Sequence, residues 1–274
     1  MADDRTPTQT PHVALVTGAN HGIGAGTALA LADDGCAVLC AYWRVRDAAD
    51  PGVPEAYRTS RLADADWVVE RIRERGGRAV AVEADLRDPG AAAPLFDAAE
   101  RELGPVDILV NNATGWVADT FKPVSTDRHG RSLQPVTAAT WSQQFAVDTM
   151  APALLIAEFA RRHAERGATW GRIIGLTSGG EGGFPEEVSY GAAKAAQVNY
   201  TLSAGVELAG LGITANVVHP PVTDTGWVTD SVREFVANSG DHVHVASPDE
   251  VGRVIAYLAS EQARLFTGNV IRLR

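Results

Sequence analysis

The chain predicts an α/β fold, a doubly wound, seven-stranded parallel sheet covered by helices on both faces. Three observations carry that expectation. Apolar, strand-like runs alternate with helical patterns along almost all of the 274 residues, as parallel strands joined by helical crossovers do. The runs are apolar throughout rather than at every second position, which implies burial on both faces. The first run leads directly into the glycine-rich segment TGANHGIG and then a helical stretch, the order of a phosphate-binding βα turn.

Residues 13–16 read as the first buried strand. In the turn that follows, Gly18 bends the chain sharply and Gly22 lets backbone N–H groups approach a pyrophosphate. Gly24 lets the helix at 25–31 pack closely on the strand. Further strands are read at 37–42 and 78–84, in VDILVNN, GRIIGLTS and ITANVVH, and finally in FTGNVIRL. Two connections, 43–63 and 115–140, are longer than a crossover requires. Both are expected on the surface, the first near the adenosine end of a bound nucleotide and the second where substrate enters. For the second, a covering loop and mere decoration are both open readings.

Composition narrows the class of protein. With 45% hydrophobic residues and no Pro/Ser-rich linker, one domain is expected over 12–274, behind a flexible polar tail at 1–11. That tail has neither the basic start nor the apolar stretch of a secretory signal. No apolar run approaches bilayer-spanning length, so a cytoplasmic protein without membrane contact is expected. A formal net charge of −10 argues against nucleic acid or anionic membrane as a partner. Cys36 and Cys40 are the only cysteines, read as reduced core residues of the second strand. His163 and His219 lack metal-ligand spacing, and no metal is expected.

The chemistry resides in three residues. Tyr190 and Lys194 stand four apart in VSYGAAKAA, with Ser178 twelve residues upstream of the tyrosine. On a helix this spacing puts phenol and ammonium on one face, where the cation favours the phenolate. A hydroxyl sharing the same substrate oxygen completes a device for proton transfer at a carbonyl or carbinol, half of a hydride-transfer reaction. Either motif alone is weak, since Tyr-x-x-x-Lys and glycine turns both recur by chance.

In combination they are specific. TGANHGIG, the NNA at 111–113, Ser178 and the Tyr190/Lys194 pair, in this order and at these separations, resemble the short-chain dehydrogenase/reductase family. The likeness extends over nearly the whole chain and is nearest to its bacterial 3-oxoacyl-[acyl carrier protein] reductase-like members. It implies a Rossmann-type sheet in the order 3-2-1-4-5-6-7, and hydride transfer between a nicotinamide and a carbonyl or alcohol substrate. Tyr190 would be the general acid/base and Ser178 would stabilise the substrate oxygen. Lys194 would bond the nicotinamide ribose and depress the tyrosine pKa.

The same resemblance assigns Gly18, Asn20, His21, Gly22, Ile23 and Gly24 to the cofactor's phosphates. Asp85 and Leu86 fall to the adenine, with Asn112 and Ala113 beside Asn111 in the stretch flanking adenosine. Pro220, Val222 and Thr225 fall near the nicotinamide carboxamide. NADP(H) is preferred to NAD(H), because the end of strand two reads Ala41-Tyr42-Trp43-Arg44 without a carboxylate. Arg44 would then pair with the 2′-phosphate, and His21 occupies a place where similar NADP-using proteins often carry a basic residue.

Two departures stand out. Asp148 replaces the family's asparagine of a water-mediated proton relay, and activity with a shifted pH profile is expected. Pro221 replaces a glycine, which removes an N–H and fixes φ. Glu181, Glu186 and Glu187 admit a cationic substrate, but Pro185-Glu186-Glu187 reads better as a helix's first turn. Trp116, Phe184 and Trp227 are candidates to line a pocket for an apolar or ring-containing substrate. Alternative readings are a catalytically impaired NAD(P)-binding regulatory protein, or an imine or acyl-thioester reductase. The resemblance implies a homotetramer or homodimer joined through 141–166 and 188–210.

Overall fold

VALVT is apolar from end to end because both its faces are covered. In the computed structural model it forms β1 (Val13–Thr17), buried at every position. The structure describes residues 11–179 and 182–274; most of the expected tail, and Glu181, lie outside the described residues. After β1 the chain runs through α1 (Gly22–Asp33), β2 (Ala37–Tyr42), α2 (Glu55–Leu62), α3 (Asp66–Glu74), β3 (Ala79–Glu83), α4 (Ala92–Glu102) and β4 (Val106–Asn111). It continues with the short strands β5 (Asp119–Thr120) and β6 (Gln134–Pro135), then α5 (Ala138–Phe145), α6 (Ala151–Glu165) and β7 (Gly171–Leu176). The last elements are α7 (Val188–Glu207), β8 (Ile213–His219), α8 (Asp230–Ala237), α9 (Pro248–Leu258) and β9 (Val270–Arg272).

The main sheet has seven strands in the order β3-β2-β1-β4-β7-β8-β9, all paired in parallel. Number and order are those expected; β5 and β6 form a separate ribbon within 115–140. Successive strand residues point to opposite faces. Val16, Val38 and Cys40 therefore join the core under α1, α3 and α9, whereas Leu15, Leu39 and Ala41 join the one under α4, α6 and α7. No helix among the described residues is long and apolar enough to cross a membrane.

The two long connections, expected as surface excursions, do not run independently. They meet. The backbone N–H of Ser132 donates to Asp50 Oδ2 at 2.9 Å, and Gly52 lies against the backbone of Gly130 and Arg131. Connection 43–63 contains α2, and its far end is tied to the glycine turn where Asn20 Nδ2 donates to the Ala63 carbonyl at 2.9 Å. Pro185-Glu186-Glu187, expected as a helix's first turn, precede α7 instead. Glu186 has a φ of 71°, a left-handed conformation that cannot begin a helix.

Candidate active site

A cleft of about 1220 Å³ opens at the carboxyl ends of the strands and runs from the glycine turn to Tyr190. The turn is built to be bare. A Cβ on Gly24 would sit 2.1 Å from the Gly18 carbonyl oxygen, and one on Gly22 would sit 2.8 Å from Thr225 Cγ2. Asn112 Nδ2 braces the turn by donating to the carbonyls of Thr17 and Gly18. Thr17 Oγ1 accepts from the backbone N–H groups of Asn112 and Ala113, each at 3.0 Å. Helix α1 starts with no side-chain cap and no acidic residue in its first turn. Its open N–H groups and positive dipole end at Gly22 and Ile23 border the cleft, an arrangement that fits a pyrophosphate.

The expected 2′-phosphate contacts are altered. Burial, with Arg61 nearby, lowers the His21 pKa to about 4, so its ring is neutral rather than basic at physiological pH. Arg44 lines the cleft but already donates to Glu83, Nε to Oε1 at 2.9 Å and Nη2 to Oε2 at 2.6 Å. Strand two ends without a carboxylate of its own, yet its register places Tyr42 beside Glu83 of β3, and the carboxylate comes from there. Asp85 likewise accepts two bonds from Arg87, which hold its pKa below the usual carboxylate range.

Leu86, Asn112, Ala113, Asn20 and Gly18 border the cleft, while Asn111 is buried and does not. Pro220, Val222 and Thr225 border it too. With Pro221 between them, the segment is held where His219 Nε2 donates to the Gly179 carbonyl at 2.6 Å and Val222 accepts from Ala246 N at 2.9 Å.

Tyr190 lies in the first turn of α7, whose start is fixed from outside the helix. Buried Asp119 of β5 accepts from the Ser189 backbone N–H at 2.8 Å and also from its hydroxyl. The Ser178 hydroxyl is close enough to the Tyr190 phenol to favour phenolate. Even so, burial first, then the negative charges of Asp148 and Glu187, push the phenol pKa above its ordinary value.

Depression by Lys194 was expected; in this structure the ammonium has other partners. The Lys194 ammonium is buried, 3.0 Å from Asp148 Oδ1 and 2.9 Å from Gln197 Oε1. Its charge is matched before it can act on the phenol, whose ring centroid is 5.7 Å away. Asp148 sits in a single π-helical turn, Ala146–Met150, between α5 and α6. Its other oxygen accepts from Gln144 Nε2 at 2.6 Å, Gly115 N at 2.8 Å and Thr114 Oγ1 at 3.2 Å. Such turns widen a helix by one residue and aim a side chain inward.

Trp116, Phe184 and Trp227 all border the cleft. Phe184 packs 5.8 Å from the Tyr190 ring, and the Arg131 guanidinium lies 5.3 Å from the Trp116 ring. Arg131 pairs with Asp127 at 2.6 Å and Glu187 at 2.9 Å, while Lys122 pairs with Glu186 at 2.9 Å. Both glutamates thus answer cations of the 115–140 connection. No cluster that could hold a metal occurs among the described residues.

Sequence reasoning missed Gln197, Gln144, Glu83, Tyr57 and Arg61. Gln197 stands three residues after Lys194 and Gln144 four before Asp148, helical spacings that could have found both.

A family profile described as "Enoyl-(Acyl carrier protein) reductase" matches residues 18–273. Oxidoreductase YjdA of Bacillus subtilis (strain 168) is 34% identical over 265 residues, 94% of each chain. Cis-4-hydroxycyclohexanecarboxylate dehydrogenase of Sinomonas cyclohexanicum is 34% identical over 263 residues, 94% of this chain and 93% of its own. Among solved structures, angucycline C-6 ketoreductase LanV with bound NADP superposes with a TM-score of 0.76 at 30% identity, covering 95% of this chain and 93% of the other. Fold, glycine turn, Tyr190/Lys194 helix and these likenesses agree, and the chain belongs to the short-chain dehydrogenase/reductase family of oxidoreductases.

Proposed function

We propose that the protein is an NADP(H)-dependent oxidoreductase acting on a carbonyl, or in reverse on the corresponding alcohol. The carrying observation is that Ser178 and Tyr190 meet in a cleft whose other reach is the bare glycine turn. LanV, of the same fold and similar length, was crystallised with NADP. Gly18, Gly22, Ile23 and the open end of α1 would hold the pyrophosphate, with Val222 and Thr225 near the nicotinamide. When bound, the nicotinamide supplies or accepts hydride.

The chain's own groups manage the oxygen. Ser178 donates a hydrogen bond to the carbonyl oxygen and polarises it. Tyr190, whose raised pKa keeps it protonated near neutral pH, delivers its proton as negative charge develops there. A protonated phenol suits the reductive direction. Lys194, on the same helix, would bond the nicotinamide ribose through the one N–H that Asp148 and Gln197 leave over. Trp116 and Phe184 give the substrate side aromatic walls, which favour a ring-bearing carbonyl compound.

The experiment mixes protein and NADPH with a panel of cyclic, aromatic and open-chain ketones and follows loss of NADPH absorbance. Tyr190→Phe should lower kcat/KM by roughly 10²–10⁴-fold while NADPH affinity is retained. Full turnover by that variant would overturn the assignment of the proton donor. Dinucleotide binding without turnover across the panel would favour the regulatory reading instead.

A further inference from the structure

Connection 43–63 carries more than its place after strand two requires. Tyr57 and Arg61, both on α2, border the same cleft as the glycine turn. The Tyr57 ring stands edge-on to His21 with centroids 6.1 Å apart, and the Arg61 guanidinium lies 5.6 Å from the centre of that ring. Asn20 anchors the end of the connection at Ala63, and Trp67 Nε1 donates back to the Asn20 carbonyl at 2.8 Å. The arginine is therefore fixed beside the turn.

Its charge is answered by a single carboxylate. The Arg61 side chain is 8% exposed and makes one ion pair, Nη1 to Asp47 Oδ2 at 2.8 Å. It makes no second ion pair among the described residues, and none of its nitrogens is sealed from solvent without a partner. A guanidinium has five N–H donors, and a buried cation is costly unless most of them are met. The other cations bordering the cleft and paired closely are better satisfied. Arg44 has both oxygens of Glu83, Arg87 has both of Asp85, and Lys194 has Asp148 and Gln197. Arg61 also lowers the pKa of His21, so its field reaches the residue at the mouth of the turn.

We infer that Arg61 is a phosphate-binding residue of the dinucleotide site, contributed by α2 beside the glycine turn, where Arg44 is already paired with Glu83. The inference rests on the NADP(H) reading above. Two phosphates share the required chemistry, the 2′-phosphate and the pyrophosphate, and binding data separate them.

The test measures dissociation constants for NADPH and NADH, by protein fluorescence or calorimetry, with the full-length wild type, Arg61→Gln, Arg61→Lys and Asp47→Asn. Arg61→Gln should weaken NADPH tenfold or more, the loss expected for a charge-assisted hydrogen bond. Arg61→Lys should fall between. A loss confined to NADPH assigns the 2′-phosphate, and an equal loss for NADH assigns the pyrophosphate. Asp47→Asn frees the guanidinium from its carboxylate and should tighten NADPH. Unchanged affinities in Arg61→Gln overturn the inference while leaving the dinucleotide reading intact. Weakening by Asp47→Asn to the same degree as Arg61→Gln also overturns it, because the pair would then serve only to hold α2. A wild type that binds neither dinucleotide overturns both.

Discussion

Lys194 and Asp148 form an ion pair of 3.0 Å with both side chains shut off from solvent. A lysine four residues beyond a tyrosine is ordinarily a means of acidifying the phenol. Here the carboxylate intercepts that influence, and the phenol carries a raised pKa with Asp148 among the causes. Removing the carboxylate should restore the lysine's effect.

Asp148→Asn is accordingly expected to shift the Tyr190 limb of the pH–rate profile toward acid, by about one unit or more. The negative charge that disfavours phenolate is gone, and the ammonium's charge is no longer matched. Leaving Lys194 buried without its carboxylate should also destabilise the fold, by up to roughly 3–5 kcal/mol, with Gln197 keeping one bond. Profiles in both reaction directions, together with urea melts, check the two effects; an unmoved limb rejects the coupling.

His21 gives a second handle on pH. Its pKa falls to about 4 in the fold, against about 6.5 in an unfolded chain. Between those values the unfolded state binds the extra proton and the native state does not, so stability is full above about pH 6.5 and declines as pH falls toward 4. The loss should approach on the order of 3 kcal/mol at the bottom of that window. Chemical denaturation across the range, compared with His21→Asn, should show the acid slope flattened in the variant.

Gly24→Ala tests the turn. The added methyl would overlap the Gly18 carbonyl oxygen, backbone against backbone, with no flexible side chain to yield. Expected are a drop in Tm and loss of dinucleotide binding, whereas Gly35→Ala, which meets no neighbouring atom, should leave binding untouched. Its own φ of 88° makes that control mildly destabilising, so affinity is the decisive comparison.

The cysteines should be inert. Burial pushes the Cys36 thiol to about 11 and the Cys40 thiol to about 12, so almost no thiolate exists at neutral pH. Alkylation with iodoacetamide should be slow in the native protein and rapid in denaturant. Fast native labelling of Cys40 would contradict its place inside β2.

The sheet was legible because its strands are buried on both faces and so write themselves as unbroken apolar runs, as in VALVT and GRIIGL. The glycine turn was legible because steric demand leaves little choice of residue at Gly18, Gly22 and Gly24. What the sequence concealed were partners set by register and by long connections. Glu83 sits beside Arg44 only once β2 and β3 are aligned, because the two are 39 positions apart in the chain. Tyr57 and Arg61 lie in a connection read only as a surface segment, since nothing local says that Asn20 and Ser132 will fasten it. Asp148 was noticed as a departure, but its contact with Lys194 depends on the π-helical turn, which has no local sequence mark.

Asp119 joins the ribbon of the second long connection to the very start of the helix bearing Tyr190. Anyone exchanging that connection to retune selectivity would be handling the mounting of the proton donor as well. A grafted segment without an acceptor at this point would change reaction rate even for ligands it never touches.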